Sequence, residues 1–257
     1  MLILLPPSEG KHVPRRSRPL DPAGLSFPTL TEPRERVLAA LVELCTTDAE
    51  RAAAVLGLGS TQLAEIAGNV GLRTAPAARA DRIYTGVLYD ALGFATLSTG
   101  AKRRANNRIA ITSSLFGLVR PGDVIPPYRL AGGVSLPGLG PVAATWRAHL
   151  GPAVTDALGN GLLVDLRSST YAAFWRPPAG TRVATVRVLH EADGKRTVVS
   201  HFNKATKGRI VRALLEDGRS PRTPAGLADL LRDLGWKVEV GDPAPAGTLL
   251  DVVVDAV

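Results

Sequence analysis

The stretch Met1-Leu2-Ile3-Leu4-Leu5-Pro6-Pro7-Ser8-Glu9-Gly10-Lys11 decides how the rest of the chain is read. Its apolar opening lacks a basic leading segment and reaches Pro6 too soon for a secretory signal, so it reads as a first, buried β-strand. A hydroxyl, a carboxylate, a flexible glycine and a cation then sit together where that strand ends. Strand ends followed by loops are where α/β proteins build their sites. The turn is not a phosphate-binding Gly-x-x-x-x-Gly-Lys-Ser/Thr loop, because a single glycine precedes Lys11. An ordinary polar turn is the competing reading.

Outward from this strand, the chain is 257 residues long and 45% apolar, enough to bury a sizeable core. Its length fits one large domain or two small ones. No apolar run approaches the roughly 18–20 residues of a membrane span. Cys45 is the single cysteine, which excludes an internal disulfide and a cysteine-cluster metal site and fits a cytoplasmic protein. The formal net charge is +8, and of 31 cations only six are Lys. An Arg-rich basic chain suits a phosphate or carboxylate partner, since the guanidinium holds such groups bidentately. A GC-rich coding bias, which raises Arg, Ala, Gly and Pro together, would give the same total.

The segment 12–33 is rich in Pro and Arg and reads as an irregular excursion. Apolar residues return at helical spacing from Glu35 to Cys45. Two short helices follow at 48–56 and 60–67, broken by Gly57-Leu58-Gly59, then a helical stretch from Tyr84 to Leu92. A basic helix from Thr99 to Asn107 feeds a strand at Arg108–Ser113. Further strands are expected at Gly161–Leu166 and Arg182–His190, with Arg196–Phe202 answering the latter across an Asp193-Gly194 hairpin turn. A helix from Ala205 to Glu216 precedes one opened by Thr223 as N-cap and Pro224 at its first position. Lys237–Val240 and Leu249–Asp255 close the chain as strands. The pattern predicts a mixed α/β (α+β) protein with a central mixed sheet and flanking helices.

Three more clusters carry candidate chemistry. In Arg120-Pro121-Gly122-Asp123 and Pro126-Pro127-Tyr128-Arg129, paired prolines fix an extended backbone that holds Tyr128 and Arg129 rigidly, as an anion clamp requires. An Arg120–Asp123 pair stapling a turn is equally consistent. Asp165-Leu166-Arg167-Ser168-Ser169-Thr170-Tyr171 again ends a buried strand and offers a base, hydroxyls and an aromatic face, or simply a serine N-cap. Lys204, Lys207 and Gly208 fall at i, i+3 and i+4 at the start of a helix, with Arg212 one turn on, and cations there would oppose its dipole unless an anion offset them. The histidines at 12, 149, 190 and 201 show no ligand spacing, so neither a metal nor a cofactor is expected. No Gly-x-Ser-x-Gly elbow occurs, which leaves a Ser168/His201/Asp165 triad open. Trp146, Trp175 and Trp236 read as core.

Taken in order, Met1–Lys11, Tyr84-Thr85-Gly86, Leu115–Asp123, Pro127-Tyr128-Arg129-Leu130, Asp165–Tyr171 and Ser200–Arg209 resemble the YaaA family of bacterial peroxide-stress proteins. The resemblance runs from residue 1 to about 215. The first turn departs from the Ser-Pro-Ala-Lys-Thr form of the stress-induced members, residues 12–33 differ, and the tail after Thr223 matches little. The resemblance implies one YaaA-like domain over 1–257 with a helical insertion at 48–80. That insertion would be a helix-hairpin-helix holding DNA phosphate on the amides of Gly57, Gly59, Ser60 and Thr61, although Ala64 lies one residue late for the usual spacing and a plain Gly-Leu-Gly break between core helices reads equally well from the residues alone. The family is associated with DNA binding and with protecting DNA when peroxide meets intracellular iron.

The expected function is therefore that of a cytoplasmic, double-stranded-DNA-associated protein with no membrane partner. Ser8, Lys11, Arg120, Arg129, Ser169, Lys204, Lys207 and Arg209 would bind phosphate in a basic cleft. The alternative is an enzyme acting on a small anionic ligand, nucleotide-like or phosphorylated. Glu9 or Asp165 would then be the base, with Tyr128 and Ser168 beside it. A third class is an accessory protein whose basic surface meets an acidic partner.

Overall fold

In the computed structural model, which describes residues 1–192, 195–198, 200–244 and 246–255, the strand Leu2–Leu5 lies fully buried in the middle of an eight-stranded sheet. It pairs in parallel with Ile109–Ser113 on one side and with Leu163–Asp165 on the other. Beyond Leu163–Asp165 the sheet continues in parallel through Val183–Ala192 to Gly247–Asp255. The antiparallel strands Gly117–Val119 and Lys237–Ala244 close its two edges. Strands buried on both faces read as unbroken apolar runs, which is what Leu2-Ile3-Leu4-Leu5 and Leu162-Leu163-Val164 are. The protein is thus a mixed α/β fold.

Helices cover the sheet. Val87–Leu92 and Thr99–Arg108 both pack on Ser200–Asp217, and Ser200–Asp217 and Pro224–Asp233 both lie against Val183–Ala192. Thr31–Thr47 and Val142–Leu158 pack together, and the latter reaches the edge strand Gly117–Val119. Thr223 caps its helix as its sequence predicts, its hydroxyl accepting from the Gly226 amide at 3.1 Å. The break at Gly57 also has the expected cause. Ala49–Leu56 ends with Gly57 in the left-handed region at φ 63°, and the Leu58 amide returns to the Ala53 carbonyl at 2.9 Å. A single 3₁₀ turn, Ser60–Gln62, intervenes before the helix Ala64–Val70.

The end of the long strand pair corrects one expectation. Lys195–Thr197 does pair antiparallel with Val183–Ala192, but the expected strand Arg196–Phe202 stops there and the chain is already helical at Ser200. The helix starts early because Thr206, Ile210 and Leu214 form one buried stripe that docks the whole segment. Lys204 and Lys207 consequently lie beyond the first turn, where a dipole penalty no longer singles them out. The Asp193-Gly194 turn and the side chain of His201 lie outside the described residues.

Candidate functional site

Two depressions open on either side of the turn that follows the first strand, and Glu9 lines both. The turn is held by its own hydroxyl: Ser8 Oγ donates to the Gly10 carbonyl at 2.6 Å and accepts the Thr85 amide at 3.1 Å. Lys11 bridges to Tyr84 in a short antiparallel contact, so the turn is docked onto the 84–86 segment. From there the Lys11 side chain folds back under the loop. Its ammonium donates to the carbonyls of Ser8 (2.8 Å) and Glu9 (3.3 Å) and stands 4.3 Å from the centre of the Tyr128 ring. Burial pushes the Lys11 amine down to about 8; Glu9 and Glu65 resist that shift, and Arg129 reinforces it.

The first depression, about 440 Å³, runs between Lys11, Tyr128 and Arg129 on one side and Thr61, Glu65 and Asn69 on the other. Arg129 reaches Glu9 at 3.2 Å. Its backbone is fixed from below by Asn69, which accepts the Arg129 amide at 2.9 Å and donates to the Arg129 carbonyl at 2.8 Å. Among the described residues the buried Arg129 Nε has no hydrogen-bond partner. Tyr128 is held by a buried hydroxyl network: its OH meets Tyr84 OH at 3.0 Å and Ser113 Oγ at 2.8 Å. Burial, with the Tyr84 phenol beside it, drives the Tyr128 hydroxyl well above its ordinary range, so this group stays a neutral phenol. The depression is of mixed charge, since Lys11 and Arg129 share it with Glu9 and Glu65.

The second depression, about 610 Å³, is bounded by the Pro6–Gly10 turn, by Thr85 to Tyr89, and by Ser168, Thr170, Tyr171 and Lys204. The predicted segments therefore converge, but not every predicted residue comes with them. Ser8, Glu9, Ser168 and Lys204 line the second depression, and Glu9, Lys11, Tyr128 and Arg129 the first. Thr61 reaches the first, whereas Gly57, Gly59 and Ser60 line neither. Ser169 and Arg209 also line neither, and Lys207 turns inward to the Leu166 carbonyl at 3.4 Å.

Asp165 and Arg120 are not brought into the group. Asp165 accepts the Arg167 guanidinium bidentately at 2.9 and 2.7 Å, and Arg167 is buried. That carboxylate is engaged in a structural ion pair rather than presented to either depression. Arg120 sits near the amino end of the strand Ile109–Ser113 and donates to the carbonyls of Asn107 and Ile109 at 2.9 Å each. Asp123 does staple the 120–123 turn, but through the Arg120 amide at 2.8 Å rather than its guanidinium. Arg34, Arg104 and Arg212 likewise tie backbone carbonyls, so part of the arginine excess is internal scaffolding. Among the described residues no group of His, Cys, Asp and Glu could hold a metal ion, and no helix is long and apolar enough to cross a membrane.

Sequence reasoning missed Asn69 and Glu65. Asn69 had a readable signal: it falls three residues after Ile66 on the buried face of its helix, where a polar side chain needs a partner. Glu65 had none, because an exposed glutamate early in a helix is ordinary.

These features define a mixed α/β protein with two adjoining depressions at the carboxyl edge of its central sheet. The sequence matches the family described as peroxide stress protein YaaA over residues 1–240, and the chain belongs to that family. It is 53% identical to a UPF0246 protein of Streptomyces coelicolor over 261 residues, covering the whole of both chains. A UPF0246 protein of Corynebacterium efficiens is 44% identical over 244 residues, 94% of this chain and 96% of its own. One from Corynebacterium glutamicum is 40% identical over 241 residues, 93% and 95% of the two chains.

Proposed function

We propose that this peroxide-stress family member binds double-stranded DNA through its phosphates, at the rim of the depression formed by Lys11, Arg129 and the 61–69 segment. One observation carries the reading. The loop bearing the exposed Arg15, Arg16 and Arg18 leaves that depression through Val13 and Pro14, and none of the three arginines pairs with a carboxylate among the described residues. The Arg18 carbonyl is tied to the Ala77 amide at 3.1 Å, which anchors this cationic loop next to Ala75 and Pro76 on the lining of the same depression. Exposed, unpaired guanidinium groups at the rim suit a duplex backbone lying across the opening. Lys11 and Arg129, partly neutralised by Glu9 and Glu65, would add to such binding less than the outer arginines.

The test is fluorescence anisotropy with a labelled duplex over a salt series. Replacing Arg15, Arg16 and Arg18 by Glu should weaken binding and flatten the log K against log salt slope by about 2–3, since each phosphate contact contributes about 0.9. Absence of duplex binding by the unmodified protein at low salt would remove the reading.

A second reading, turnover of a small anionic substrate, is favoured by one observation. The larger depression gathers Ser8, Glu9, Ser168 and Lys204 in a space too small for a duplex.

A further inference from the structure

We infer that the larger depression is a binding site for a nucleoside monophosphate, an inference that rests on the small-anion reading and gives that ligand a class. The first argument is topological. The chain leaves Leu2–Leu5 and next enters the sheet at its neighbour Ile109–Ser113, whereas it leaves Leu163–Asp165 toward Val183–Ala192 on the opposite side. Adjacent parallel strands whose outgoing connections part in this way leave a crevice at their carboxyl ends, and open α/β sheets bind ligands in such crevices. Ser8 and Glu9 come from the first of these exits, Ser168 and Thr170 from the second, and all four line the same depression.

The second argument is chemical. About 610 Å³ is within the range of small-molecule sites and accommodates a nucleotide without accommodating a helix of DNA. The lining is divided in character. Val87, Leu88 and Tyr171 offer apolar surface to a flat base, while Lys204 and the hydroxyls of Ser168 and Thr170 offer charge and donors to a phosphate and ribose. Lys204 makes no ion pair among the described residues. Glu9, which lines the same space, is paired with Arg129 at 3.2 Å. The backbone also leaves room: a side-chain carbon placed on Gly133, which lines this space, would meet no atom within 4 Å.

Isothermal titration calorimetry with AMP, GMP, CMP and UMP tests the inference, with inorganic phosphate, adenosine and ribose 5-phosphate as comparison ligands. At least one nucleotide should saturate a single site more tightly than any comparison ligand. Lys204→Glu should weaken it at least tenfold, and Gly133→Phe, which fills the space from an unstrained position, should abolish it. Glu replacements at Arg15, Arg16 and Arg18 should leave it unchanged. Failure of all four nucleotides while ribose 5-phosphate binds in a Lys204-dependent way would overturn the nucleotide class and keep an anion site. Failure of every phosphate compound would remove the small-anion reading as well. Nucleotide binding indifferent to both Lys204→Glu and Gly133→Phe would place it elsewhere and overturn the inference.

Discussion

Replacing Asp165 by Asn separates a structural carboxylate from a catalytic one. In the native chain both carboxylate oxygens accept from the Arg167 guanidinium, at 2.9 and 2.7 Å, and the first also accepts the Arg167 amide at 3.1 Å. Side-chain exposure is 2% for Arg167 and 12% for Asp165, so solvent screens the pair little. Asn keeps one acceptor but turns an N–H toward the guanidinium, leaving a buried cation without its counter-charge. Breaking a buried pair from one side costs about 3–5 kcal/mol, and the surviving acceptor puts this variant near the lower figure. For a chain of this size about 3 kcal/mol lowers Tm by roughly 6–12 °C. Urea unfolding with intrinsic fluorescence, paired with a thermal scan, measures it. Lys207 supplies an internal check. Burial lowers its amine pKa and Asp165 partly restores it, so the variant should lower it further, as read by NMR of the methylated lysine. A stability loss below about 1 kcal/mol, with the Lys207 titration unmoved, would refute the structural assignment of Asp165.

Lys11 and the helix-packing glycines give two more expectations. Because the folded Lys11 amine lies at about 8 and the unfolded value is 10.5, the unfolded chain binds more protons between them, so stability rises with pH across that window. The gain should be about 3 kcal/mol and absent from Lys11→Met, so the difference between the two pH–stability curves measures it; parallel curves would show that Lys11 is not desolvated. A side-chain carbon on Gly208 would collide with the Leu88 carbonyl and crowd the Ala91 side chain at 2.9 Å, whereas one on Gly68 would meet nothing within 4 Å. Gly208→Ala should therefore destabilise by about 1–3 kcal/mol and Gly68→Ala stabilise by up to about 1 kcal/mol, opposite shifts in urea midpoint that equal shifts would contradict.

Much of the candidate site was legible because its residues lie next to elements with strong local signals. The first strand and its turn, the Thr223 cap, and the helix break at Gly57 each follow from a few consecutive residues whose conformational preferences agree. The convergence of Ser8, Glu9, Ser168 and Lys204 was also anticipated, since two of these segments directly follow buried apolar runs and strand exits gather at one edge of a parallel sheet. Less visible was how each charged side chain would be used. Asp165 and Arg167 are two residues apart on a strand exit, and whether they face a ligand or each other depends on how deeply that exit is buried. The early helix start at Ser200 was hidden because Arg196–Phe202 alternates like a strand, and only the docking of Thr206, Ile210 and Leu214 outweighs that alternation.

By itself the sequence determined the alphabet of elements, the membership in the YaaA family and the set of polar turns from which a site can be made. Local preferences and apolar periodicity act over a few residues and survive in any reading of the chain. Only the tertiary structure decided the order of strands across the sheet. That order sends Arg120 to the amino end and Arg129 to the carboxyl end, although nine positions separate them in the chain. Strand order is fixed by pairings between residues more than a hundred positions apart, such as Ile3 with Ile109 and Val164, and no local window contains that information.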